Sequence, residues 1–283
     1  TEFTVDGGIR WGVKGGTMEL QDRLQEGREK AGGKHHPIPG GMIETAENLR
    51  EEYKISRERQ DKMAEMSHAR AAAAQENGDF ADEIVPVEVP QRKGDPIIVD
   101  KDEHVRPGTT AESLAKLKPV MGRQLDDATV TAGNASGQND GAAAMIVTTR
   151  EKAEVLGLTP MATLRGWAVA GVAPETMGIG PVAATDKLFK RLDLNFDDID
   201  LIELNEAFAA QALAVLDAWC ISETDERLNP MGSGISLGHP VGATGARMLV
   251  TAAHRMQRTG AKRALVTMCI GGGQGLAAVI ERP

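Results

Sequence analysis

Ile199-Asp200-Leu201-Ile202-Glu203-Leu204-Asn205-Glu206-Ala207-Phe208 is the stretch whose reading decides the fold. Its first six residues are an apolar run of strand length. The segment that follows, to Trp219, places Phe208, Ala212, Val215, Leu216 and Trp219 on one helical face. A change of hydrophobic period at Asn205 therefore predicts a strand feeding directly into a helix. Working outward, the pattern toward the N-terminus predicts a helix over 181–192, a strand over 162–172, a helix over 150–156 and a buried strand over 142–147. Toward the C-terminus it predicts a helix over 242–259, then strands over 263–268 and 276–280. Strands alternating with amphipathic helices define an α/β layer structure, a sheet flanked by helices. The composition shifts at Thr129, and the boundary falls there: residues 1–128 form a polar α+β unit and residues 129–283 the α/β unit. Within the first unit, the opening fifty residues are glycine-bearing and read as loop-rich, with a helix over 18–28. Ser56 caps an Ala-rich helix to Gln75, ended by Asn77-Gly78. Short strands are expected over 84–89 and 97–99, and Thr109-Thr110-Ala111-Glu112 offers a capping box for a helix through Leu117.

At 283 residues, 41% hydrophobic and 26% charged, the composition is that of a globular protein with room for about two domains. A net charge of −9 argues against a nucleic-acid partner, whose phosphates need a basic surface. It leaves room for one small anionic ligand held by a local patch. No apolar run is long enough to span a membrane and the first residues carry no signal pattern, so the expectation is a cytoplasmic protein. Cys220 and Cys269 are the only cysteines, which provides neither a disulfide framework nor a Cys-rich metal site.

Chemistry concentrates at three junctions. Cys269-Ile270-Gly271-Gly272-Gly273-Gln274-Gly275 puts a thiol at a strand's end beside glycine N–H groups that can turn toward an oxyanion. The same letters also fit a plain strand, glycine turn and second strand. Gly238-His239-Pro240-Val241-Gly242-Ala243-Thr244-Gly245 sets a histidine before a helix start, whose positive end favours the neutral ring; a helix cap fits too. Asn205-Glu206 stands between strand and helix, where α/β folds place ligand sites, or as an ordinary N-cap.

Together these motifs resemble the C-terminal signatures of the thiolases: Asn205-Glu206-Ala207-Phe208, Gly238-His239-Pro240 with Gly242-Ala243 and Gly245, and Cys269 through Gly273. Thr129 through Gly137 and Asn139-Asp140-Gly141 resemble the segment opening the thiolase C-terminal half, and Thr45-Ala46-Glu47-Asn48 extends the likeness upstream. The resemblance implies a thiolase-like fold with a loop (lid) domain over 1–128 and the C-terminal half over 129–283. It implies an acyl-CoA C-acyltransferase, with coenzyme A as substrate and product and no cofactor or metal. It also implies roles. Cys269 is the acid/base thiol for the α-carbon, and His239 activates the nucleophilic cysteine and donates to one oxyanion. Asn205 holds a water in that hole, and the Gly271 N–H serves the other. Ser136 and Ala132 match pantetheine contacts, Arg106 and Ser113 the adenine end, and Met177 and Phe208 the acyl pocket. A homodimer or homotetramer is implied as well. The family's nucleophilic Cys-Gly-Ser/Ala-Gly motif does not occur here, and Cys220 ends an amphipathic helix. The expectation is therefore a chain lacking the N-terminal half, inactive alone, with an apolar face exposed where that half would pack. A β-ketoacyl synthase relative and a non-catalytic acyl-CoA-binding or assembly subunit are the competing readings. Asn205 and Cys269 speak against the first.

Overall fold

The computed structural model describes residues 41–283; the helix expected over 18–28 and the pair His35-His36 lie outside the described residues. The polar N-terminal part opens with helix α1 (Met42–Glu52), which the loop-rich reading of the first fifty residues missed. Gly41 is the N-cap of a helix here instead of continuing a loop. Its buried face mixes Thr45 and Glu47 with Ala46 and Leu49, so the apolar period is faint. Helix α2 (Arg57–Glu76) begins as expected, with Ser56 Oγ accepting from the Arg59 N–H at 3.2 Å. Strands β1 (Val87–Val89) and β2 (Ile97–Val99) pair antiparallel. Helix α3 (Ala111–Leu114) is capped reciprocally by Thr110 and Ser113, not Thr109 and Glu112, and stops before Leu117.

Two buried carboxylates dock this part onto the rest. Glu47 accepts from the N–H groups of Thr129 and Val130 at 2.9 and 2.8 Å. Asp61 accepts from Asn134 Nδ2 at 3.0 Å and from Arg57 at 2.7 Å. The segment from Thr129 is thereby fixed, and the Ser136 N–H reaches the Ala207 carbonyl at 2.9 Å.

The buried strand expected over 142–147 does not form: Ile146 is 83% exposed and Val147 79%. No strand among the described residues pairs with it, so its apolar letters gain no partner. Helix α4 (Arg150–Val155) and strand β3 (Thr163–Gly171) follow. Leu164 and Trp167 of β3 are also exposed. Met145, before Ile146 and Val147, is exposed as well.

The second sheet has the order β3-β6-β5-β4, where β4 is Leu201–Leu204, β5 Arg263–Ile270 and β6 Gln274–Glu281. Its β4–β5 pair is parallel and its other pairs are antiparallel. Alternation sorts the side chains to its two faces. Ile202, Leu204, Leu265, Ala277 and Val279 pack with helices α5 (Gly180–Leu192) and α6 (Ala209–Trp219). Leu201, Ala264, Val266 and Ile280 pack on helix α8 (Thr244–Thr259), through Met248, Ala252 and Met256. A short helix α7 (Gly234–Leu237) lies between α6 and α8. Helix α6 is buried almost all round, because Ala209, Ala210, Ala212 and Ala214 let its neighbours approach closely.

At the start of α5 the backbone of Gly180 lies directly against Gly275 of β6, and a Cβ on either glycine would overlap the other segment's backbone. Neither side of that contact is a side chain that can rotate away. Gly275→Ala is expected to destabilise the chain by about 1–3 kcal/mol or more, the usual cost of overpacking a filled core. Urea unfolding followed by circular dichroism measures it; an unchanged midpoint would show that the two backbones can part.

Candidate active site

The parallel strands β4 and β5 run side by side, and the Asn205 N–H continues their ladder by donating to the Thr267 carbonyl at 3.0 Å. Asn205 and Cys269 therefore emerge near the carboxyl end of the same strand pair, the usual place for ligands in such sheets. Asn205 is fully buried, and its Nδ2 lies 3.4 Å from His239 Nε2. Its Oδ1 has no protein partner.

His239 is held at its other nitrogen by Thr244, whose Oγ1 lies 2.7 Å from Nδ1 and 2.9 Å from the Pro240 carbonyl. With the hydroxyl proton given to Pro240, Nδ1–H donates to Oγ1 and Nε2 keeps a lone pair. With the hydroxyl rotated to donate to Nδ1, the ring proton sits on Nε2. Thr244 thus lets Nε2 act as acceptor or donor without moving the ring. Burial, and then the charge of Arg247, push the imidazole down to about 4, so the ring is neutral near pH 7. The helix start, to which the sequence reading attributed this neutrality, is not the leading cause.

Cys269 is 6% exposed and packs with Met177, Ala207, Phe208 and Met42. The thiol and the residues expected to form an acyl pocket are in one cluster. Burial pushes the thiol up to about 12, and the hydrogen bond from its own backbone N–H, which lowers it, is the smaller effect. The glycine stretch forms a turn: Cys269 pairs with Gly275 and Ile270 with Gln274 across a hairpin, and Gly271 begins the exposed turn beside Met42.

The remaining expected residues lie farther out. Ser136 is bonded to Ala207, next to Phe208. Ala132 is exposed, beside Gly133, which packs on Leu114 and Leu117 and so stands near Ser113 of α3. Arg106 is exposed, its N–H donating to His68 Nδ1 at 3.2 Å. Cys220 is exposed with left-handed φ at the end of α6, an incidental thiol and not a packed one.

Sequence reading picked out Glu206 beside Asn205 but not what it holds, and missed Glu203 and Asn229. Glu206 is buried, accepting from Ser67 Oγ at 2.5 Å and Asn229 Nδ2 at 2.8 Å. Glu203, two residues before Asn205, lies with Leu201 on the α8 face of the sheet, 3.6 Å from Arg247, and burial raises it to about 8. A charged letter inside the apolar run 199–204 was the available signal for Glu203; nothing in the sequence marks Asn229. Among the described residues no cluster of His, Cys, Asp or Glu is gathered to hold a metal ion.

Residues 158–282 match the family model "Thiolase, C-terminal domain" and residues 10–151 match "Thiolase, N-terminal domain". The second match overlies the stretch taken as a loop domain, so the absence of the whole N-terminal half finds no support. The chain is 54% identical over 241 residues to the beta-ketoadipyl-CoA thiolase of Pseudomonas aeruginosa, covering 85% of this chain and 59% of that protein. It is 49% identical over 277 residues to the acetyl-CoA acetyltransferase of Chromobacterium violaceum, covering 98% of this chain and 68% of that protein. The crystal structure of the Bacillus anthracis acetyl-CoA acetyltransferase superposes with a TM-score of 0.87 at 44% identity, over 99% of this chain and 68% of that one. The layered α/β fold expected from the sequence is thus the fold observed. The chain spans 59–68% of the length of these relatives.

His239 and His68 are both held at about 4, mainly by burial, against 6.5 in an unfolded chain. The unfolded state therefore binds more protons between these values, and stability rises with pH across that window. Their contribution is complete above about pH 6.5 and is lost as the pH falls toward 4. Ring signals of His239 followed by NMR are expected to stay flat from pH 8 to 5, with the unfolding midpoint falling below pH 6.5; a His239 midpoint near 6.5 would contradict the burial.

Proposed function

The chain belongs to the thiolase family, and from that premise we propose that it carries acyl-CoA C-acyltransferase chemistry: condensation of two acyl-CoA molecules, and the reverse thiolysis of a 3-ketoacyl-CoA. The observation that carries this reading is the convergence of Asn205, His239 and Cys269 at the carboxyl ends of β4 and β5.

His239 Nε2, as acceptor, takes the proton of the attacking thiol, and as donor it meets the thioester oxygen; the Thr244 hydroxyl switches between the two states. Asn205 Oδ1, buried and unpartnered, suits a water completing that oxyanion hole. The Gly271 N–H serves the second hole. Cys269 exchanges a proton with the α-carbon. In the resting site Sγ holds that proton, so in thiolysis the S–H bond breaks as the C–H bond forms, leaving the thiolate. In condensation the thiolate takes the proton back. Met177 and Phe208 border the acyl group, Ser136 and Ala132 the pantetheine arm, and Arg106 and Ser113 the adenine end.

Neither thiol of the chain fits the acyl-accepting role: Cys220 is exposed beyond α6, and Cys269 is buried and protonated. In this reading the acyl-enzyme forms on a thiol supplied from outside these 283 residues. Homo-oligomeric assembly and a cytoplasmic location belong to the same reading. Among the described residues no helix is long and apolar enough to cross a membrane.

Incubated with acetyl-CoA, the chain is expected to show no acetyl adduct on either cysteine by intact mass spectrometry and no thiolysis of acetoacetyl-CoA. An adduct on Cys269 would overturn its assignment. In a protein that also carries the acyl-accepting thiol, Cys269→Ala is expected to abolish condensation while the acyl-enzyme still accumulates; loss of that adduct would count equally against the role.

A further inference from the structure

Asn139 lies far from His239 in sequence, yet its side chain reaches the catalytic loop. Its Oδ1 accepts from the His239 N–H at 3.2 Å, and the same N–H is 3.1 Å from the Gly137 carbonyl. Its Nδ2 lies 3.3 Å from His104 Nδ1. The contact leaves no spare room. Gly238 has φ +87°, and a Cβ there would overlap the Asn139 amide. A Cβ on Gly137 would lie 2.6 Å from His104 Cε1 and 2.7 Å from Asn139 Oδ1.

Hydrogen-bond logic allows this bridge one arrangement. A backbone N–H can only donate, so the amide oxygen must face His239. The amide nitrogen then faces His104, whose Nδ1 must carry a lone pair, putting its hydrogen on Nε2 on the side of the Ile235 carbonyl. A doubly protonated His104 would set donor against donor, and an amide flip to relieve it would cost the His239 N–H its side-chain acceptor and leave it the Gly137 carbonyl alone. His104 also stands two residues before Arg106, whose N–H is itself held by His68.

We propose that Asn139 is a positioning residue for His239, and that its amide couples the backbone of His239 to the ring of His104 in the loop that carries Arg106. The proposal rests on the reading of His239 as the reacting histidine, but the contacts it predicts exist without substrate. It names a residue that touches neither the thioester nor the thiol and acts by fixing where the imidazole stands.

Two substitutions test it on the intact chain, with NMR as readout. Asn139→Asp keeps the shape and the acceptor for His239 but places carboxylate oxygen against His104 Nδ1. The groups now governing His104 are its own burial, Arg106, Asp102 and the Ile235 carbonyl. A new carboxylate at this distance should raise the His104 midpoint by about one pH unit or more. Asn139→Leu removes both bonds, and amide exchange at His239 should then accelerate by roughly tenfold or more, with its ring signals displaced. A His104 midpoint unmoved in Asn139→Asp overturns the coupling, and wild-type exchange at His239 in a folded Asn139→Leu overturns the positioning role. If Asn139→Leu does not fold, the smaller Asn139→Ala removes the same two bonds and its His239 exchange is read in the same way, because a raised His104 midpoint in Asn139→Asp reports proximity alone. Neither measurement requires turnover, so failure of the proposed reaction would leave both results interpretable.

Discussion

The site depends on a carboxylate that never meets solvent. Glu206 is buried at the point where β4 gives way to α6, and such a group is tolerable only when its oxygens are fully occupied. Ser67 of α2 and Asn229 occupy them. Asn229 also bonds both backbone groups of Leu204 at 2.9 Å, so one side chain does the work of a neighbouring strand where the sheet has ended. Ser67 further reaches Ser236 of α7 at 2.9 Å. The end of β4, helix α2 and the stretch from Asn229 to Ser236 are thus tied around one residue, and the next residue upstream is Asn205. Breaking such a network at one partner leaves an unsatisfied buried group, which costs more than any single bond is worth.

The N-terminal part is docked by the same device. Glu47 and Asp61 each spend a buried carboxylate on the loop beginning at Thr129, and that loop then delivers Ser136 to Ala207. Apolar area alone would let the helices slide over one another. Directional bonds to backbone N–H groups fix their register.

Legibility followed the physics of each signal. Caps and periods of local origin read well: Ser56 opens its helix, and a strand ending at Leu204 does lead into a helix. That helix begins at Ala209 and not at Glu206, because Phe208 stays extended to bridge Ala135. Helix α1 was hidden because half its buried face is polar, with Glu47 satisfied by groups more than eighty residues away. The run 142–147 misled in the opposite sense, since apolar letters record a wish for burial and cannot say whether a partner strand is present. The motif residues Asn205, His239 and Cys269 stood out in the sequence through their glycine and strand contexts. Their supports Thr244, Asn139 and Asn229 are ordinary polar letters whose partners only the fold supplies. The state of the thiol escaped for a similar reason: a neighbourhood of glycines suggested exposed N–H groups, whereas Met177, Ala207 and Phe208 closed over Sγ and made desolvation dominant.

The glycine-on-glycine contact between Gly180 and Gly275 has a further meaning for how this pocket can vary. Cys269 pairs with Gly275, and Gly180 follows directly on the short helical turn (Pro174–Ile179) that carries Met177. Two backbones in direct contact act as a gauge block, setting the separation of thiol and pocket wall with no adjustable spacer between them. A slip of β6 by one residue would drive Gln274 or Leu276 into the same gap. Room for a bulkier ligand cannot then come from shifting the sheet, and must come from trimming side chains such as Met177 that face the thiol.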